Sequence, residues 1–148
     1  MDPTVKNYHW NDLTMGLFAA LDAGADSVVL VNDSGQVVEG PGFNVFCVCD
    51  GVLITPVQGM LEGVTRMTVL EIAQSLEIPV QVRAVLADEF KSAQEAFIST
   101  SGGGVLPVTR VNGQRVGNGQ IGVITSKIAD AYWAMHKDPA LNSPIAYA

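Results

Sequence analysis

Val37-Val38-Glu39-Gly40-Pro41-Gly42-Phe43-Asn44-Val45 sets one carboxylate at the end of an apolar run and follows it with glycines that bare the backbone. Val37 and Val38 read as the end of a strand, Gly40 and Gly42 as positions that accept positive φ or the close approach of a flat group, and Phe43 to Val48 as the next strand. Glu39 then stands at the mouth of the turn. Taken alone, a solvated carboxylate beside a hairpin is the simpler reading, because E-G-x-G is short and common. Its interest comes from two other stretches that suit an anion. Leu61-Glu62-Gly63-Val64-Thr65-Arg66 opens a helix with a glycine and a hydroxyl, so the free N–H groups of Val64 and Thr65 and the Thr65 hydroxyl can point at a phosphate with the helix dipole behind them. Thr100-Ser101-Gly102-Gly103-Gly104 offers hydroxyls and bare N–H groups where a strand ends. Each stretch also has a structural reading, Thr65 as a plain capping residue and the triple glycine as a tight turn. Neither carries the Gly-Lys-Ser/Thr of a Walker loop or a G-x-G-x-x-G after a strand, so one phosphate on a small cofactor suits them better than a nucleotide.

The elements that must position these groups follow from the pattern of apolar residues. Pro3, Thr4 and Val5 predict an extended lead-in, and a helix is predicted from Asn11 or Asp12, either of them an N-cap, to Ala23, with Trp10, Leu13, Leu17 and Leu21 along one stripe and Gly24 as its stop. Ser27 to Val31, Gln36 to Val38, Phe43 to Cys49 and Val52 to Thr55 then read as an antiparallel meander, with Asp50-Gly51 as a two-residue hairpin. A second helix starts at Gly63 and runs to Ser75 with Met67, Leu70, Ala73 and Leu76 on its apolar face, beside Val69 and Ile72. Pro79 to Val85 reads as a strand, Leu86 to Ser92 as a short helix, and Glu95 to Ser99 and Val105 to Val111 as further strands, the last ending in the Asn112-Gly113 turn. A final helix from Ile121 to His136 turns Ile121, Ile124, Ile128, Ala131, Tyr132 and Met135 inward, and the tail from Asp138 to Ala148 is irregular.

Composition removes several classes of partner. A chain of 148 residues with 48% hydrophobic and 16% charged positions buries one core, as a single globular domain. A net charge of −7 with eight scattered basic residues argues against nucleic acid and against an acidic membrane surface. No apolar run approaches the roughly 20 residues of a membrane span, and no basic segment leads into an apolar signal core, so a cytoplasmic protein is expected. Asn32-Asp33-Ser34 fits a glycosylation acceptor, which has no meaning there. Cys47 and Cys49 share one strand face, too close along an extended chain to favour a mutual disulfide, and without further Cys or spaced His they make a poor metal site; no metal is expected.

A lysine, a carboxylate and a phosphate cup serve one cofactor together. Pyridoxal phosphate is held by its aldehyde on a lysine, its ring nitrogen is kept protonated by a carboxylate, and its phosphate is anchored by hydroxyls and amides. Of the four lysines, Lys91, Lys127 and Lys137 fall on helix surfaces or the tail, which leaves Lys6 just before the first helix. Spacing alone does not bring Lys6 to Glu39.

Lys6-Asn7, Val38 to Asn44, Thr55-Pro56, Leu61 to Arg66, Phe97 to Gly103 and Ile121 to Thr125 follow one another in an order and spacing that resembles the class IV, fold type IV, pyridoxal-phosphate aminotransferases. That family includes branched-chain amino-acid transaminases, D-amino-acid transaminases, aminodeoxychorismate lyases and (R)-selective amine transaminases. The Asp2 to Asn7 opening, with Trp10, Asp12 and Leu13, is most similar to the (R)-amine branch and its branched-chain relatives, and the resemblance covers essentially the whole chain. It implies an α/β (α+β) fold, mostly antiparallel strands in a pseudo-barrel with flanking helices, and amino-group transfer between an amine or amino acid and a 2-oxo acid. It also implies that Lys6 forms the Schiff base and then moves the proton between substrate and cofactor carbons. Glu39 would pair with the ring nitrogen, Leu61 would pack on a ring face, and Val64, Thr65, Thr100 and Ser101 would hold the phosphate. Ser101 stands where relatives carry Thr, which keeps the donor and loses the methyl that stiffens its rotamer. Arg66 recurs in the motif as either a structural residue or a cofactor contact.

Members of the family also have a domain upstream of the lysine that supplies a phosphate-binding arginine and one wall of the substrate pocket. Residues 1–148 therefore resemble the C-terminal cofactor-binding domain, expected to bind the cofactor weakly and turn over poorly alone, to expose apolar surface toward an absent domain, and to assemble as a homodimer. An aminodeoxychorismate-lyase-like enzyme and a non-catalytic assembly domain that kept the fold are the alternatives. The retained Lys6, Glu39 and Thr65/Ser101 argue against a mere scaffold.

Overall fold

Turn chemistry lays out the centre of the molecule. In the computed structural model, which describes residues 2–145, Asp50 and Gly51 take φ of 50° and 77° and close a hairpin that sets Cys49 opposite Val52. This joins β2 (Phe43–Cys49) to β3 (Val52–Thr55). On the other side of β2, Pro41-Gly42, with Gly42 at φ 80°, turns it back onto β1 (Glu39–Gly40), so that Glu39 faces Asn44. Glu39 thus lies in a strand and not at the mouth of the turn. Gly40 is required there, since any Cβ would strike the Phe43 ring and the Val28 carbonyl.

Beyond β3 the chain forms α2 (Val64–Ser75) and then β4 (Val80–Val82), which returns parallel to β3. The first helix of the chain, α1 (Asn11–Asp22), lies outside this crossover, and a short α3 (Ala87–Ser92) follows it. β5 (Glu95–Thr100) then pairs antiparallel with β2, and β6 (Gly104–Pro107) pairs with β5. The sheet order is β4-β3-β2-β5-β6, antiparallel except at β3–β4. Pro107 ends β6 early, so the single strand expected from Val105 to Val111 is broken. Its remainder is the small hairpin of β7 (Arg110–Val111) and β8 (Gln114–Arg115), turned at Asn112-Gly113 as expected. The last helix is α4 (Val123–Met135).

Alternation along the strands splits the core between the two sheet faces. Phe46, Val48, Leu53, Phe97 and Val105 pack on one face under Val69, Ile72 and Ala73 of α2 and Ile128 of α4, with the Phe46 and Phe97 rings stacked at 4.8 Å. Val45, Cys47, Ile54 and Ala96 form the other face with Val37, Val85, Phe90 and Ala93. Both cysteines are free, and burial pushes the Cys47 thiol up to about 12. No helix among the described residues is long and apolar enough to cross a membrane.

Several helix faces differ from those expected. The N-cap of α1 is Trp10, without a side-chain hydrogen bond, and Asn11 and Asp12 lie inside the helix. Leu13, Gly16, Leu17 and Ala20 are its half-buried side, while Trp10 and Leu21 are exposed. A Cβ on Gly16 would press on the end of the Leu30 side chain, which would have to shift. In α2 the buried line is Thr65, Arg66, Val69, Ile72 and Ala73, which leaves Met67 and Leu76 outside. In α4, Ile121 precedes the helix and is exposed. The opening is a turn and not an extended arm, because the Asp2 carboxylate accepts from the Thr4 N–H at 2.9 Å and its hydroxyl at 2.6 Å. Residues 139–145 contain no helix or strand, and the rest of the expected irregular tail lies outside the described residues.

Candidate active site

The first three residues of α2 have N–H groups that no acceptor among the described residues meets. Gly63 is the N-cap, with extended φ −65° and ψ 141° and no side chain to cap with. A Cβ on Gly63 would collide with Oδ1 of Asn44, so glycine lets β2 come up against the helix start. Asn44 uses that closeness, donating from Nδ2 to the Leu61 carbonyl at 2.7 Å, while the Leu61 N–H donates to Oε2 of Glu39 at 3.1 Å. One residue's backbone is thereby pinned from both sides by neighbours in the sheet, which fixes the Leu61 side chain in the wall of a cleft.

That cleft is about 830 Å³ and runs along the end of the sheet. Lys6, Glu39, Asn44, Leu61, Thr65 and Ser101 all line it, as do Val64, Ser99 and Thr100. The structure therefore brings Lys6, Glu39, Leu61, Val64, Thr65, Thr100 and Ser101, from segments far apart in the chain, to one cavity. Their surroundings differ. Lys6 is exposed on a segment held by local bonds, such as Asn7 Nδ2 to the Val5 carbonyl at 2.6 Å. Glu39 is half-buried, and burial holds its carboxyl above the ordinary value against the opposing pull of the Leu61 N–H and the Lys6 charge. Thr65 is buried, and its Oγ1 lies 3.4 Å from Oγ of Ser101. The Val64 side chain points away, 77% exposed, so its backbone N–H is what it offers. The Thr100 hydroxyl is turned to its own loop and accepts from the Gly102 N–H at 3.4 Å.

Arg66 has the structural role. Its Nη2 donates to the Pro56 carbonyl at 2.9 Å and its Nε to Thr55 Oγ1 at 3.4 Å, tying the segment after β3 to the first turn of α2. Among the described residues no carboxylate lies within ion-pairing distance, and burial lowers its pKa. The guanidinium is thus a buried positive charge carried on the first turn of α2, which favours an anion at that helix start.

Sequence reasoning does not single out Asn44 and Ser99 as parts of the site. Both are polar residues at inward positions of otherwise apolar strands, 5% and 2% exposed, and that mismatch is the signal they carry. Glu39, Asn44 and Ser99 are successive cross-strand partners on β1, β2 and β5, so their side chains form one row on the same sheet face. The arrangement can hold a phosphate-sized anion at one end and a protonated ring nitrogen at the other, with the primary amine of Lys6 lining the same cleft.

A mixed, mostly antiparallel sheet with such a cleft at its end defines the class. Residues 1–111 match the amino-transferase class IV family, and the chain belongs to it. It is similar to the putative branched-chain-amino-acid aminotransferase of Methanocaldococcus jannaschii, 34% identical over 89% of this chain and 46% of that one. The D-alanine aminotransferase of Bacillus licheniformis is 36% identical over 76% of this chain and 40% of its own length. Among solved structures, the branched-chain amino acid aminotransferase from Thermobaculum terrenum in its PLP-form superposes with a TM-score of 0.90, at 30% identity over 95% of this chain and 48% of that one. The chain thus spans about half the length of the relatives it matches.

Proposed function

We propose that this chain is the cofactor-holding domain of a pyridoxal-phosphate-dependent aminotransferase that moves an amino group between a branched-chain amino acid and a 2-oxo acid. The observation that carries the reading is the shared cleft, where Lys6, Glu39 and the Thr65–Ser101 hydroxyl pair meet. The names of the relatives favour the branched-chain substrate.

The residues present fit the cofactor. Unpartnered N–H groups and paired hydroxyls at the start of α2 suit a phosphate dianion. Glu39 uses only Oε2 on the Leu61 N–H, which leaves Oε1 for a protonated ring nitrogen, in a half-buried place where water screens that pairing less. When bound, pyridoxal phosphate supplies an electron sink for the pair left behind as a substrate Cα–H bond breaks. Lys6 Nζ takes that proton and returns it, which the exposed and locally held segment allows it to do by moving within the cleft. Leu61, fixed by its backbone, supplies an apolar wall that keeps water from one side. Exposed Trp10, Met15, Phe18 and Leu21 along α1 fit a further domain and a homodimeric assembly that close the remaining side.

The test is the visible absorption of the chain with pyridoxal phosphate, then borohydride reduction and peptide mapping. A new visible band and a pyridoxyl group fixed on Lys6, both lost in Lys6→Ala, are expected. Absence of both, with the wild-type chain at millimolar pyridoxal phosphate, overturns the reading.

A further inference from the structure

Ser99 Oγ is buried and lacks any hydrogen-bond partner, and it is the one such side-chain atom among the described residues. A buried hydroxyl without a partner destabilises a fold in a way that alanine at the same position does not, so its presence asks for a reason. Its neighbours offer it nothing. Asn44, opposite on β2, donates its Nδ2 to the Leu61 carbonyl and turns its Oδ1 toward Gly63, and Val105, opposite on β6, is apolar. Thr65 Oγ1 is turned to Ser101. What remains beside Ser99 is the cleft whose wall it forms.

Alternation along β5 says which part of the cleft this is. Glu95, Phe97 and Ser99 share a sheet face, and continuing the alternation brings Ser101 to the same side, about 7 Å further along. Ser99 is therefore the floor beneath the hydroxyl pair at the start of α2, on the line from that pair toward Asn44 and Glu39. We propose, resting on the cofactor reading above, that Ser99 is a further anchoring residue whose hydroxyl donates to a ligand phosphate seated at Thr65 and Ser101. A phosphate has three terminal oxygens, each able to accept several hydrogen bonds, more than Thr65, Ser101 and two N–H groups fill. The ligand, not the fold, then supplies the partner, which is why the free chain holds a polar group with none.

The proposal separates from a structural role by sign. Affinities of the full chain for pyridoxal phosphate and for pyridoxal, which lacks the phosphate, are measured by absorbance titration in wild type, Ser99→Ala and Ser99→Thr, beside urea midpoints of the ligand-free proteins. Expected is a roughly 5- to 20-fold loss for pyridoxal phosphate in Ser99→Ala, no change for pyridoxal, a ligand-free midpoint equal to or above wild type, and recovery to within about threefold in Ser99→Thr. Equal pyridoxal phosphate affinities in wild type and Ser99→Ala overturn this inference alone, as does an equal loss for both compounds. A lower ligand-free midpoint in Ser99→Ala also overturns it, since the hydroxyl then already has a partner. A wild-type chain that binds neither compound overturns the cofactor reading and this inference with it.

Discussion

α2 and α4 begin alike and end up with opposite tasks. Each starts with glycine at the N-cap in extended conformation, Gly63 and Gly122, followed by valine and, within two residues more, a threonine that is buried. Neither cap residue has a side chain to offer, so both helices present unsatisfied N–H groups. β5 serves both of them from the same face. At its first residue, Glu95 reaches the start of α4, where its carboxylate accepts from the Ile124 N–H at 3.1 Å, the Thr125 N–H at 2.8 Å and the Thr125 hydroxyl at 2.8 Å. Just past its other end, Ser101 meets Thr65 at the start of α2 with a neutral hydroxyl. One helix start is closed by the protein's own anion; at the other, with its donors, its dipole and the buried Arg66 charge, Glu62 stands just before the N-cap but no carboxylate among the described residues accepts from the open N–H groups. Helix-start sequence alone therefore does not identify an anion site. What identifies it is whether the fold has already delivered a carboxylate.

Breaking the closed end should cost the most. Glu95→Ala removes a three-bond cap and strands the fully buried Thr125 hydroxyl, which costs roughly 2–4 kcal/mol in urea unfolding. A loss under ~1 kcal/mol would mean that the two helix starts are less different than they look. Making the open end resemble the closed one is the next test. Ser101→Asp supplies α2 with an internal acid, lowers pyridoxal phosphate affinity about tenfold or more, and raises ligand-free stability by about 0.3–1 kcal/mol. Removing one hydroxyl is gentler: Thr65→Val keeps the shape, weakens binding about tenfold, and moves ligand-free stability in urea by less than ~0.5 kcal/mol. The smallest effect is in pH. Burial holds the Glu39 carboxyl above its ordinary 4.5, so the folded chain binds the proton more tightly than the unfolded chain. Ligand-free stability therefore falls as pH rises through that raised value, by under about 1 kcal/mol because water still reaches the group, and the cost is absent below pH ~4.5. Glu39→Gln flattens this slope between about pH 4 and 7, and an unchanged slope would show that another group produces it.

Much of the fold was legible because local chemistry specified it. Asp50-Gly51 and Asn112-Gly113 fixed two hairpins, since these residues tolerate the positive φ that such turns demand. Gly63 and Gly24 marked a helix start and a helix stop for similar local reasons. Helix faces were less legible. Spacing shows that α2 has an apolar stripe, but Met67 and Val69 are only two residues apart, and which of them turns inward depends on the approach of β5 and α4. The parallel return of β4 was equally hidden, because its sequence carries no mark of the direction in which it pairs. In the cleft, Glu39, Thr65 and Ser101 stood out through neighbouring glycines. Ser99 and Glu95 had no such punctuation, Asn44 read as part of a strand, and the parts of Asn44 and Glu95 depend on distant partners, 17 residues away for Asn44 and Leu61 and 30 for Glu95 and Thr125.

The row of Glu39, Asn44 and Ser99 also bears on how fast the chain folds and unfolds. Asn44 and Ser99 are partnered across β2 and β5, strands separated by a helical crossover and a short helix, so the row is complete only after a long loop has closed. The hairpin that places Glu39 beside Asn44 is local and needs no such loop closure. A ligand that bridges α2 and β5 gains its contacts after the slowest pairing is made, on the native side of the barrier. Its binding therefore lengthens the lifetime of the folded chain and leaves the rate of reaching it nearly unchanged.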